Sequence, residues 1–179
     1  GFWSGGVSGY SDNGFGVSGY SGTYFGVSAA SSTGVPLYAE LDSLNTSANI
    51  IEGWQWGGSA IRRFRVTGGG DVYASGAFHP NGADFAEMLP AQDALEAGDV
   101  LVINEDGKLA KSTLPNQPNV AGVHATKPGL IGGAEDGADL TGKVPLAVVG
   151  VVPVKVTSEN GPIKPGDKLT TSSTAGRAM

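Results

Sequence analysis

The sequence predicts an all-β protein: an elongated stalk built from a short repeat, trimeric and β-helix- or prism-like, followed by a small β-barrel or sandwich domain. Three observations carry this expectation. Glycine supplies 30 of 179 residues while charged residues supply 16%, against about 25% charged in an average globular chain, so long helices have little material to be built from. A glycine-rich decapeptide recurs at the start, Gly-Val-Ser-Gly-Tyr at 6–10 returning at 16–20. Beyond it lie short alternating runs, divided by Gly, Asn and Asp clusters suited to turns.

The repeat occupies residues 1–35. Val7, Val17 and Val27 fall in register, as do Phe15 and Phe25, and Tyr10 and Tyr20. A period of ten is even, so strand alternation carries over between copies and Phe and Val share one face. Ser11-Asp12-Asn13-Gly14 and Ser21-Gly22-Thr23 supply turns between copies. One strand-and-turn unit buries too little to offset an ordering cost of about 1–2 kcal/mol per residue. It must stack on copies of itself. Val7, Phe15, Val17, Phe25 and Val27 are therefore the expected core of a homotrimer or larger homo-oligomer in which several chains meet at a shared axis.

Residues 36–90 read as an interwoven hairpin region. Residues 36–41 have the pattern of a strand, and Ile50-Ile51-Glu52-Gly53-Trp54-Gln55-Trp56 alternates with its tryptophans spaced by two. A hairpin follows, residues 60–67 and 72–78 joined by Gly68-Gly69-Gly70-Asp71. Three successive glycines fit where backbone geometry is extreme or chains approach closely. Residues 91–179 read as the small C-terminal β-domain. Residues 98–104 and 108–111 form a second hairpin across Glu105-Asp106-Gly107, and 120–125 is a further strand. Residues 144–156 are too long and too interrupted for one flat strand, and Gly150 with Pro145 and Pro153 marks a bend or bulge. Lys168–Thr171 starts another strand, and the last, from Ala175, is unfinished at Met179. The chain is expected to be a piece of something longer, its last domain truncated.

Composition excludes several functions. A net charge of −6 leaves no basic stripe for nucleic acid. The one basic cluster is Arg62, Arg63 and Arg65. Alternation sends Arg63 and Arg65 to one face of a strand and Phe64 to the other, where a solvated or ion-paired face is expected. The chain has no cysteine, which removes disulfides, thiolate metal sites and cysteine nucleophiles. No run approaches the roughly 20 apolar residues of a membrane helix. His79 and His124 have no third ligand spaced near them, so neither a metal nor a cofactor is expected. No Gly-x-Ser-x-Gly elbow occurs, and the triple glycine precedes a strand rather than a phosphate-cradling helix.

One compact constellation carries possible chemistry, His79-Pro80-Asn81-Gly82-Ala83-Asp84-Phe85-Ala86-Glu87-Met88-Leu89-Pro90. Asp84 and Glu87 would lie on opposite faces of a strand but on one side of a helical turn. Paired carboxylates sharing a partly buried site split their pKa values into an acid and a base, and such a pair permits peptide-bond hydrolysis. The plainer expectation is a turn at Asn81-Gly82 followed by packed apolar residues, with the acids solvated or paired to arginine.

Those residues also carry a resemblance. The hairpin ending in Gly-x-Phe, Asn-Gly-x-Asp-Phe-Ala-Glu-Met, Gly-Asp-Val-Leu-Val with Gly-Lys-Leu-Ala, Val-Gly-Val-Val-Pro-Val-Lys-Val and Pro-Gly-Asp-Lys-Leu-Thr-Thr-Ser-Ser resemble the C-terminal region of phage tail-fibre-like and bacterial surface proteins. The Asp-Phe-Ala-Glu segment is similar to one in the self-cleaving intramolecular chaperone domain of phage neck-appendage proteins. The resemblance spans roughly residues 60–179. It implies a homotrimeric extracellular, cell-surface or virion fibre whose C-terminal module registers assembly, and it places any self-cleavage on Asp84 and Glu87. Met88-Leu89-Pro90 departs from the aromatic and acidic residues that commonly follow in that family.

The leading expectation is thus a structural fibre protein, tail-fibre-like or adhesin-like, acting in oligomer assembly, display or attachment rather than as an enzyme. Two alternatives stand beside it: a self-cleaving chaperone using Asp84 and Glu87, and a carbohydrate-binding module in which Trp54 and Trp56 stack on the sugars of a cell-surface glycan.

Overall fold

The computed structural model describes residues 10, 12, 15, 17–23, 25, 27–92, 94–134 and 136–179. Regular structure among them is all β, with no helix and so none long and apolar enough to cross a membrane. The chain divides into two compact units, residues 1–77 and 78–179.

In the first unit β1 (Asn49–Trp56), β2 (Ala60–Thr67) and β3 (Val72–Ala74) form an antiparallel sheet in that order. The Gly-rich hairpin is where the sequence places it, although β3 stops at Ala74. Described residues before Asn49, including 36–41, form bends and turns but no strand. Among the described residues the repeat thus forms no strand, and the expected β stalk is not seen there; one copy of the repeat buries little apolar surface by itself.

The expected face of the arginines also needs correcting. Gly53 pairs with Phe64 but Trp54 pairs with Arg62, so Arg63 is an extra residue in β2. This bulge resets the alternation and brings Arg62 and Arg65 to one face, with Glu52, Trp54 and Tyr73. Arg62 lies 5.6 Å from the Trp54 ring centre and Arg65 lies 4.0 Å from that of Tyr73. The register places Ile51, Ile61, Phe64, Val66 and Val72 on the opposite face.

The second unit holds β4 (Asp84–Pro90), β5 (Val100–Ile103), β6 (Leu109–Lys111), β7 (Val120–His124), β8 (Leu130–Gly132) and β9 (Lys143–Gly150) in one sheet of order β6-β5-β7-β9-β4-β8. Only the β4–β8 pairing is parallel. Residues 78–90, which the sequence reading joined to the hairpin region, thus fold with the C-terminal unit. Leu101, Leu109 and Leu146 form the core, with Leu89, Ala91, Leu95, Ala121 and Val144 against it. Ala91 makes a single parallel bridge to Leu109. This bridge brings the end of β4 beside β6, but among the described residues no closed barrel is seen.

The bend expected in 144–156 lies at Gly150, where β9 ends with φ at 126°. A Cβ there would sit 2.5 Å from the Ala83 carbonyl oxygen and 2.6 Å from Asp84 Cα, so the approach of β4 admits only glycine. The expected strand at 168–171 is reduced to one bridge, Thr171 to Ala178.

Candidate functional sites

Asp84 and Glu87 lie in β4, a strand and not a helical turn, and so on its opposite faces. Asp84 is 6% exposed, and its Oδ2 is buried without a hydrogen-bond partner among the described residues. Glu87 is exposed. The shared site that would pair two carboxylates does not form within one chain. A cavity of about 290 Å³ lies beside Asp84, lined by Pro80, Gly82, Phe85, Leu130, Val149 and Gly150 among others.

A second acidic centre, which the sequence reading missed, is built round Asp99. This residue is 1% exposed. Its Oδ1 accepts a hydrogen bond from Lys155 Nζ at 2.7 Å, and its Oδ2 accepts one from the Glu96 amide at 2.8 Å and lies 3.2 Å from Lys111 Nζ. Lys155 also reaches Glu96 at 2.6 Å. A Cβ on Gly176 would lie 3.0 Å from Asp99 Oδ1. Burial pushes the Asp99 carboxyl up, but hydrogen bonds from Lys155, the Glu96 amide and Lys111 outweigh it and hold the group below the usual carboxylate range. The same contacts, Asp99 first and Glu96 second, raise Lys155. Nearby His124, whose Nδ1 is buried without a partner among the described residues, is held low chiefly by desolvation.

These contacts join Glu96, β6 and the segment after β9, so they fasten the sheet rather than expose a reactive group. Asp99→Ala is expected to destabilise the second unit by about 2 kcal/mol at neutral pH, because it removes the charge-assisted hydrogen bonds that Lys155 and the Glu96 amide make to the buried carboxylate. A carboxyl with a lowered folded-state pKa contributes stability above its ordinary value of 3.8 and loses it as pH falls through the lower folded value. The gap between the two proteins should therefore close only in acid below about pH 4. Urea unfolding followed by far-ultraviolet circular dichroism at both pH values checks this. A gap equally large in strong acid would contradict it.

The first unit presents the third candidate, the arginine and aromatic face. Trp54 is 48% and Trp56 78% exposed. Glu52 orders this face: its carboxylate accepts hydrogen bonds from the Trp54 indole at 2.8 Å, from Arg62 at 3.0 Å and from Asn49. The Trp54 bond chiefly, helped by Arg62, holds Glu52 below the usual range. Arg63 donates to Gln55 at 2.8 Å. Among the described residues Arg63 and Arg65 form no ion pair.

Of the residues expected to line an oligomer core, Val7 lies outside the described residues. Phe15, Val17, Phe25 and Val27 are 89%, 67%, 70% and 72% exposed.

Protein-family models, curated proteins and solved structures contain no match to this chain. Its residues must carry any functional reading.

Of the three places, the Trp54/Trp56 face was visible in the sequence from aromatics spaced by two, and the acidic pair from its short spacing. The Asp99 centre was not, since Lys155 lies 56 residues from Asp99. Its only local signal was Gly98-Asp99 at the start of a strand.

Proposed function

We propose that the chain is a structural assembly protein, a subunit of a homotrimeric fibre that acts in oligomer assembly, display or attachment at an extracellular, cell-surface or virion location. The observation that carries this reading is the bare apolar face of the β1–β2–β3 sheet. Ile51, Ile61, Phe64 and Val72 on that face are 41%, 42%, 37% and 51% exposed. A small sheet needs a hydrophobic face buried against something to be stable in water. The first unit has no further strand or helix among its described residues to supply that cover, so further copies of the chain are the economical source.

Two other surfaces support the same reading. In the second unit the edge strand β8 exposes Leu130 and Ile131, and Val148, Val149 and Val151 are 55%, 68% and 78% exposed. Apolar surface gathered in this way marks contact with a partner. In such an assembly Phe15, Val17 and Val27 of neighbouring chains would meet on a common axis. Three is the number that the fibre-protein resemblance implies. Self-cleavage is the weaker reading, because it must draw its two carboxylates from opposite faces of β4.

The chain has no cysteine, so Ser59→Cys in the exposed β1–β2 turn gives a single labelling site. Donor-labelled and acceptor-labelled chains refolded together at micromolar concentration should show energy transfer between chains. No transfer would count against the assembly.

A further inference from the structure

Gly68 and Gly69 explain a cavity that the assembly does not use. A Cβ on Gly68 would lie 2.9 Å from the Asn45 carbonyl oxygen, and one on Gly69 would lie 3.3 Å from Thr46 Cβ. Their amides donate to the carbonyls of Ala48 at 2.7 Å and Thr46 at 3.0 Å. The triple-glycine turn thus lets residues 45–48 lie against the end of the hairpin. Between them is a cavity of about 400 Å³, lined by Thr46, Ser47, Arg65, Thr67, Asp71 and Tyr73 among others, within the size range of small-molecule sites.

Two groups in this cavity have unused hydrogen-bonding capacity. Arg65 is half-buried and stacked on Tyr73 at 4.0 Å, and among the described residues its one side-chain hydrogen bond is a long one to Asn49 at 3.5 Å. A guanidinium carries five N–H donors in a fork that matches a carboxylate. Asp71 is exposed, and its carboxylate accepts but does not donate. A bare inorganic anion drawn to Arg65 would be repelled by Asp71. A ligand with an anionic group for Arg65 and hydroxyls for Asp71 satisfies both.

Field and shape agree. The chain carries −6 overall, yet the three strands of this sheet carry three arginines and one glutamate. Trp54 and Trp56 continue along the same face, giving apolar rings on which pyranose faces can stack.

We propose that this cavity binds a carboxylate-bearing sugar, its carboxylate on the Arg65 guanidinium and its hydroxyls on Asp71, with Trp54 and Trp56 supporting adjoining sugar rings of an acidic glycan. The site lies within the first unit of one chain, so its test is separable from that of assembly.

The full chain is titrated with 3′-sialyllactose and with a glucuronate-containing tetrasaccharide, using lactose and dextran sulfate as controls. At least one acidic sugar should bind while lactose does not. Arg65→Gln and Arg65→Lys should each weaken that binding by at least about tenfold, since the lysine keeps the charge but loses the fork. Asp71→Asn should weaken the acidic sugar without weakening dextran sulfate. Should Arg65→Gln fail to fold by circular dichroism, the lysine variant and the unmodified chain still decide. Failure of the unmodified chain to bind either acidic sugar, full binding by Arg65→Lys, or Asp71→Asn weakening dextran sulfate and the sugar alike would overturn the proposal.

Discussion

Gly150→Val is expected to unfold the second unit. Two costs add at this position. Its φ of 126° lies in a region that side-chain-bearing residues rarely adopt, a strain of about 1–3 kcal/mol. The new Cβ would also fall 2.5 Å from the Ala83 oxygen and 2.6 Å from Asp84 Cα, both backbone atoms with no rotamer to give way. Overpacking of this kind costs typically about 1–3 kcal/mol where side chains can adjust, and more where they cannot. Together these reach about 4 kcal/mol or more, a large share of the roughly 5–15 kcal/mol that holds a domain folded. Because β4 lies between β9 and β8, prying it from β9 also detaches the edge strand. Far-ultraviolet circular dichroism and amide exchange of Val100–Ile103 check this, and native protection of those amides would contradict it.

The second large effect concerns association. Ile51→Asp combined with Phe64→Asp is expected to abolish the proposed assembly while leaving the β5 core of the other unit intact. Each aspartate places a charge at a position that the account covers with another chain, where burying an unpaired carboxylate costs several kcal/mol. In a monomer the same residues are 41% and 37% exposed, and the substitutions would be mild. Mass photometry of the variant against the unmodified chain separates the two, since equal particle masses would remove this face from the interface.

What the sequence made legible follows from how local each signal was. The β2–β3 and β5–β6 hairpins carry their turns within them, Gly68-Gly69-Gly70-Asp71 and Glu105-Asp106-Gly107, and the bend in 144–156 announced itself through Gly150. Strand β4 was obscured because Asp84-Phe85-Ala86-Glu87-Met88-Leu89 has Ala, Glu, Met and Leu, all good helix formers. Its strand state is imposed by β8 and β9, 45 or more residues away in register, as in the pairing of Phe85 with Leu130 and Val149. Tertiary context overrides propensity in such a segment.

The sites divide in the same way. Trp54 and Trp56 could be singled out by spacing alone. Their Arg62 and Arg65 neighbours could not be assigned correctly, because one bulged residue at Arg63 reverses the face of everything beyond it. The Asp99 centre and the cavity at Arg65 depend on partners brought together by folding: Lys155 in the first case, residues 46 and 47 against the glycine turn in the second. Gly68 and Gly69 were the one forewarning, since consecutive glycines indicate that backbone is close by.

The central claim is that this chain works as an assembly of copies of itself. Sedimentation equilibrium of the unmodified chain at micromolar concentration tests it most directly. The account predicts a species of three times the 18.0 kDa chain mass. A single species of 18.0 kDa at every concentration would contradict it.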